Sequence, residues 1–135
     1  PGRAIRQLES ARKKAPRRVD IALELAGFHE RQGEMDRASA LVSNALRNEP
    51  SDFLLHYRLG VIRQKQEKFD LAAFSFGRVV QLNADYAPEY YNLGELNIAR
   101  GDTANAIHAY QSFLDRWEGA PEAGRAVRLR LENLR

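Results

Sequence analysis

Apolar residues recur three and four positions apart along most of the chain, and short polar breaks separate one such run from the next. In the stretch from His56 to Leu82, this helical spacing occurs on both sides of one polar break. The stretch therefore predicts a helical hairpin, in which two short helices are joined by a tight turn. Because no segment stands out with the two-residue period of a strand, we expect an all-α fold.

The hairpin pattern repeats at a fixed interval. The dipeptides Leu25-Ala26, Leu59-Gly60 and Leu93-Gly94 are spaced 34 residues apart. The small second residue of each dipeptide allows a partner helix to approach closely. The same interval separates the members of three further sets: Ala38, Ala72 and Ala106; Val42, Phe76 and Tyr110; and Ala45, Val79 and Phe113. A period of about 34 residues built from helix–turn–helix units is typical of a helical repeat array.

Two glycines lie inside predicted helices. A glycine in a helix costs about 1 kcal/mol relative to alanine, so Gly60 and Gly94 need a structural reason. We expect close helix approach at both positions, because the periodic apolar residues continue beyond each of them. The alternative is that each glycine ends or kinks its helix.

The repeat boundaries follow from this register. We predict a single domain over residues 1–135, with full repeats at 19–52, 53–86 and 87–120. Residues 1–18 are predicted to be the second helix of a truncated repeat, because their apolar residues and proline stand in phase with those of the next repeat. The members of that set are Ala4, Leu8, Ala11 and Pro16, each 34 residues before Ala38, Val42, Ala45 and Pro50. The sequence is therefore interpreted as a fragment of a longer protein.

The last segment departs from the pattern. Pro121 opens a final helix in which Arg128 stands where the repeats have Ala26, Gly60 and Gly94. A bulky charged residue at this position means that no second helix need pack closely there. We therefore predict that residues 121–135 cap the array, with Val127 packed back on the third repeat.

These residues resemble the tetratricopeptide repeat family over nearly the whole chain. The resemblance implies a right-handed superhelical solenoid of antiparallel helix pairs, whose first helices line a concave groove that binds a peptide or helix of another protein. The family's tyrosine late in the first helix is replaced by His29, Arg63 and Asn97. Its groove positions carry over to a set of residues in all three repeats: Asp20, Leu23, Gly27, Leu54, Tyr57, Arg58, Val61, Pro88, Tyr91, Asn92, Glu95 and Ile98.

Several of these groove residues are apolar and lie on a helix face that the core pattern does not use. Tyrosine gives a large contact area with a polar tip, which suits recognition, so the set indicates a partly apolar groove for a partner segment. The alternative is that these side chains pack within the array. Family members that grip a terminal carboxylate use Lys and Asn at set positions. Because Arg58 is the only cation at the matching places, we do not predict such a clamp.

Charge is unevenly distributed along the chain. The formal net charge is +3, but residues 1–18 hold seven basic residues and one acidic residue. This end could meet nucleic acid or an anionic surface, although no aromatic residue is interleaved for base stacking. The simpler interpretation is a solvated helix face, so nucleic acid is not the expected partner.

Composition narrows the possible chemistry. The absence of cysteine excludes disulfides and cysteine-based zinc or nucleophile chemistry in this piece, and leaves cytoplasm and bacterial periplasm equally open. His29, His56 and His108 do not have helical metal-site spacing, and His56 occupies a core-type position. No phosphate loop, catalytic triad order or membrane span is readable. We expect no catalytic residue, no metal and no cofactor.

The leading hypothesis is a non-catalytic scaffold or adaptor that binds a peptide or helix of another protein. The alternative is a structural segment of a longer solenoid in a bacterial envelope, secretion or polysaccharide-export assembly. Such a segment could self-associate through residues 1–16, where the Ala4 and Leu8 face lacks a partner helix. We interpret Trp117 as a cap over the junction with the last helix.

Overall fold

A computed structural model describes residues 19–135, and these residues form seven helices and no strands. The all-α helical-repeat class is therefore confirmed for the described part of the chain. The predicted half repeat, with its proposed self-association surface at residues 1–16 and its basic charge, lies outside the described residues. In chain order the helices are α1 (Val19–Arg31), α2 (Met35–Asn48), α3 (Phe53–Lys65), α4 (Phe69–Leu82), α5 (Ala87–Ala99), α6 (Thr103–Arg116) and α7 (Pro121–Leu134).

The helix starts follow local chemistry. Asp52 caps α3, where its Oδ1 accepts hydrogen bonds from the backbone N–H groups of Leu54 and Leu55, at 3.0 and 3.2 Å. Pro88 lies in the first turn of α5 and Pro121 opens α7, where a missing N–H costs nothing. These starts agree with the register predicted from the sequence.

Three turns share one backbone geometry. Gly33, Glu67 and Gly101 follow α1, α3 and α5, with φ angles of 78°, 61° and 78°. In each turn the next residue donates a backbone hydrogen bond of 2.8 Å that closes the helix end, as Glu34 does to the His29 carbonyl. Glycine adopts this left-handed conformation without strain, whereas Glu67 does so with a Cβ in place.

The chain divides into two compact units, one up to Lys68 and one from Phe69 to the end. In the first, α1 packs on α2, and α3 packs on both. Its core consists mainly of small and branched residues: Ala22, Ala26, Ala38, Val42, Ala45, Leu55, Leu59 and Ile62. The expected single domain over residues 1–135 remains a prediction.

The second unit contains α4 to α7, packed in sequence order. Its core is built around Tyr110 and Phe113 of α6, with Ala87, Ala106, Val127 and Leu131 packed around them. A Cβ built on Gly94 of α5 would lie 2.6 Å from Cδ1 of the Tyr110 ring, which is closer than real Cβ contacts. The close helix approach expected at Gly94 is therefore present, and Val127 packs in the core of this unit, while the capping role of residues 121–135 remains a prediction.

No helix in the described range 19–135 combines the length and apolar character that a membrane crossing requires.

Candidate functional site

A pocket of about 330 Å³ opens in the second unit between α5 and α7, with α6 at its base. Asn92 is its one polar lining residue, and the others are apolar or aromatic. The pocket is lined by Pro88, Tyr91 and Asn92 of α5, Phe113 of α6, Trp117 just beyond α6, and Ala123, Ala126 and Val127 of α7. Such a concave apolar surface with one polar group is typical of a ligand site.

Trp117 forms part of the base of this pocket. Its ring stacks on Phe113, with centroids 5.0 Å apart and planes 22° apart. Its indole N–H donates to the Ala120 carbonyl oxygen at 2.9 Å, which fixes the orientation of the ring. Gly119 lies against the ring, because a Cβ there would come within 2.7 Å of Trp117 Cη2. Trp117 thus caps the junction with α7, as expected, and also lines the pocket, which the sequence did not indicate.

Tyr91 forms the α5 wall of the pocket. Its ring centroid lies 6.2 Å from that of Tyr110 and 6.0 Å from that of Phe113, in tilted contacts. Its hydroxyl donates to Glu95 Oε1 at 3.1 Å. Partial burial and this hydrogen bond raise the pKa of Tyr91. The side chain is still 39% exposed, so a partner can reach a ring that is already held in place.

A polar network lies one helical turn beyond the pocket. Glu95 Oε2 accepts a hydrogen bond from the Tyr110 hydroxyl and forms an ion pair with Arg130 Nη2 at 2.7 Å. Arg130 Nε also donates to the Tyr110 oxygen at 3.2 Å. Burial, together with the hydrogen bond to Glu95, raises the pKa of Tyr110 to about 12. The network therefore joins one residue from each of α5, α6 and α7.

The predicted groove residues of the second unit divide into three groups. Pro88, Tyr91 and Asn92 lie together in the pocket. Glu95 lies beside the pocket, and its carboxylate accepts the hydrogen bonds and the ion pair of the polar network. Ile98 is half-buried against the core of the unit and does not line the pocket.

The sequence analysis missed the pocket residues outside α5, among them Phe113 and Ala126. From the sequence, Phe113 is only a member of a set repeating every 34 residues, and Ala123 and Ala126 fall in the predicted capping helix, so neither position indicates a pocket. The available signal was the low bulk of Ala123 and Ala126, three residues apart in the capping helix. Small residues at this spacing leave an open stripe on a helix face.

The predicted groove residues of the first unit differ in their exposure. Leu54 is exposed, at 48%, and Asp20 is also exposed. Leu23, Gly27, Tyr57, Arg58 and Val61 are half-buried.

Arg58 already has a partner inside the first unit. Its Nη1 lies 3.4 Å from Oε2 of Glu30, whose side chain is only 4% exposed, and Lys65 Nζ lies 3.1 Å from the other oxygen. A buried carboxylate needs such compensation, so these two cations join α3 to α1. The one cation expected in the groove therefore already has a salt-bridge partner inside the first unit.

His29 and His56 both have structural contacts. His29 is buried, and its Nδ1 lies 3.2 Å from Glu34 Oε1. His56 is half-buried, with its Nε2 2.9 Å from the Pro50 carbonyl oxygen. Within residues 19–135, no group of three or more His, Cys, Asp or Glu residues is placed to hold a metal ion.

Two comparisons with solved structures support the fold. The crystal structure of MamA superposes with a TM-score of 0.81 at 25% identity, covering 96% of this chain and 76% of that one. The Yersinia enterocolitica type III secretion chaperone SycD, solved with a peptide of the translocator YopD, gives a TM-score of 0.75 at 18% identity. That match covers 86% of this chain and 91% of the chaperone.

Sequence comparisons give the family. The general transcriptional corepressor trfA of Dictyostelium discoideum is 30% identical over 94 residues, which is 70% of this chain and only 7% of that protein. Family models described as tetratricopeptide repeat match residues 1–59 and residues 90–119. Together with the 34-residue register and the helical hairpins, these matches show that the chain belongs to the tetratricopeptide repeat family.

Proposed function

We propose that this chain is a protein-interaction module that binds a segment of another protein, with the pocket of the second unit as its anchor site. The observation that carries the proposal is that Pro88, Tyr91 and Asn92 lie together around an open pocket whose base is aromatic. The tetratricopeptide repeat fold and the similarity to a secretion chaperone solved with a translocator peptide support protein binding rather than catalysis.

The dimensions of the pocket indicate what enters it. About 330 Å³ is close to the lower limit of ligand pockets and too small for a whole helix, whose diameter is about 10–12 Å. The pocket suits one bulky apolar side chain, which would be enclosed by Tyr91, Phe113 and Trp117. Large aromatic surfaces around a central anchor are typical of the residues that dominate interface energies.

Asn92 gives the pocket polar selectivity. Its amide can both donate and accept hydrogen bonds, so it can pair with the main chain of a bound segment beside the anchor. The occupant is therefore a short segment with one large apolar or aromatic side chain. Leu54, Tyr57 and Val61 of the first unit remain proposed as further partner contacts, together with Asp20, Leu23, Gly27, Arg58 and Ile98.

The test uses a random twelve-residue peptide library displayed on phage and selected on the full chain. Bound peptides are titrated while the fluorescence of Trp117 is followed, because the chain has a single tryptophan. Selected peptides should share one large apolar residue and should change the Trp117 emission on binding.

Blocking the pocket provides the decisive variant. Ala126 lines the pocket but is exposed, so Ala126→Phe fills the space at little cost to the fold. Peptide affinity should fall about tenfold or more, equivalent to about 1.4 kcal/mol. Ala104→Phe is the matched control, since Ala104 is also exposed but lies in the first turn of α6, outside the pocket. Equal affinity of the two variants for the peptide would exclude the pocket as the anchor site.

A second pair of variants tests the wall. Tyr91 and Tyr86 are both exposed tyrosines, at 39% and 45%, but only Tyr91 lines the pocket. Tyr91→Ala should weaken the selected peptide by about 2 kcal/mol, the scale of an aromatic hot spot. Tyr86→Ala should leave the affinity unchanged.

A further inference from the structure

The two walls of the pocket belong to helices that are not consecutive in the chain. α7 packs on α6, and α5 packs on α6 from its own hairpin. A direct link from α7 to α5 is the ion pair between Arg130 Nη2 and Glu95 Oε2, at 2.7 Å. The two walls are therefore connected both through the shared base and through this pair.

Arg130 stands in line with the pocket. It follows Ala126 by four residues and Val127 by three, so it lies on the same face of α7 one turn further along. Glu95 has the same relation to Tyr91 on α5, four residues on, and accepts its hydroxyl hydrogen bond. Each wall therefore ends in one member of the ion pair.

The pair is held in a defined geometry. Glu95 accepts from the hydroxyls of Tyr91 and Tyr110 as well as from Arg130, and Arg130 Nε is fixed on the Tyr110 oxygen. An exposed isolated ion pair contributes only about 0–1 kcal/mol, because two flexible side chains must be ordered. Here the tyrosines order Glu95 in advance, and Tyr110 is itself fully buried.

We infer that the Glu95–Arg130 pair positions α7 against α5 and thereby fixes the width of the pocket. Arg130 and Glu95 are positioning residues, since neither lines the pocket. A pre-formed pocket should bind its segment more tightly than a pocket whose wall moves. This effect on affinity rests on the proposed function. The positioning itself is independent of any partner.

The absence of cysteine makes the positioning measurable. The exposed residues Ala99 of α5 and Asn133 of α7 are replaced by cysteine and spin-labelled, and the distance distribution between the labels is measured by electron paramagnetic resonance. Arg130→Ala should broaden this distribution and weaken the selected peptide about five- to tenfold. Arg125→Ala is the matched control, because Arg125 lies on the same helix and its ion pair, with Glu122 at 3.5 Å, stays within α7.

The charge-swapped double variant, Glu95→Arg with Arg130→Glu, separates positioning from a general loss of stability. It should restore a narrow distance distribution and most of the peptide affinity, which a purely structural defect would not do. If the distribution in Arg130→Ala matches that in Arg125→Ala, or if the swap restores nothing, the inference is overturned and the pocket proposal stands. If the distribution broadens but Ala126→Phe leaves peptide binding intact, the positioning role is supported and the anchor site is refuted.

Discussion

Gly94 of α5 lies directly against the ring of Tyr110 of α6, with no room for a side chain between them. Tyr110 is fully buried and also anchors the polar network beside the pocket, so it has no free space into which to retreat. We predict that Gly94→Ala destabilises the second unit by about 1–3 kcal/mol, as is usual for overpacking. Urea unfolding followed by circular dichroism measures the change.

Gly77 of α4 provides the control for this prediction. It also lies inside a helix, but a Cβ built on it meets nothing within 4 Å. Gly77→Ala should therefore stabilise the protein by about 0.5–1 kcal/mol through helix propensity alone. A shared sign for the two glycine substitutions would contradict the close approach described for Gly94.

Glu67 is the strained member of the three equivalent turns. Because Gly33 and Gly101 adopt the same left-handed conformation freely, we predict that Glu67→Gly raises the free energy of unfolding by about 0.5–1 kcal/mol. Thermal unfolding measures the gain. Glu67→Ala keeps the Cβ and should give no such gain, and an equal effect of both changes would place the cause in the charge of Glu67.

Glu89 should make stability depend on pH. Its side chain is fully buried in the first turn of α5, and both carboxyl oxygens are shielded from solvent. Burial raises the pKa of Glu89 to about 7, and the neighbouring Asn92 opposes this rise. In the unfolded chain the pKa is about 4.3, so the unfolded state loses its proton first.

The sign of this effect follows from the proton balance. Between about pH 4.3 and 7 the folded state holds a proton that the unfolded state has released, so stability falls as pH rises and then levels off. Glu89→Gln keeps the shape without the titration and should be more stable than the wild type at pH 8 by roughly 1–3 kcal/mol. Urea unfolding at pH 5 and pH 8 tests this. Glu122→Gln, in the exposed first turn of α7, should leave the pH profile as it is.

Gly119 should determine the position of the Trp117 ring. A Cβ at this position would overlap the indole, so Gly119→Ala is expected to displace the ring from its stack on Phe113. Trp117 emission should shift to longer wavelength as the ring meets water, with a loss of about 1–3 kcal/mol in stability. Glu118→Ala changes the exposed neighbouring residue and should leave the spectrum unchanged. An unshifted spectrum in Gly119→Ala would show that the ring does not rest on this glycine.

The helical period predicted the fold because it depends on residues that repeat. Leu25, Leu59 and Leu93 recur with the small residues beside them, and close approach at Gly94 followed from that register alone. The resemblance to the tetratricopeptide repeat family, rather than the period, implies that Pro88, Tyr91 and Asn92 share a groove face, and the structure brings them together around a pocket.

The remainder of the site depends on groups that meet from different helices. Glu95, Tyr110 and Arg130 come from three helices, and no sequence spacing relates them. Trp117 lies beyond the end of α6, where the repeat pattern no longer specifies a side chain's direction. Such positions are fixed by tertiary packing, so the side of the pocket formed by α7 could not be predicted from periodicity.

The burial of Glu30 beneath Arg58 and Lys65 affects how an alanine scan of the first unit should be interpreted. Truncating either cation would leave the desolvated carboxylate of Glu30 with only one salt-bridge partner. The packing of α3 on α1 would then weaken even in the absence of a binding partner. Reading a drop in affinity in an Arg58 single variant as proof of a partner contact would then be an error. Removing acid and base together would avoid that error.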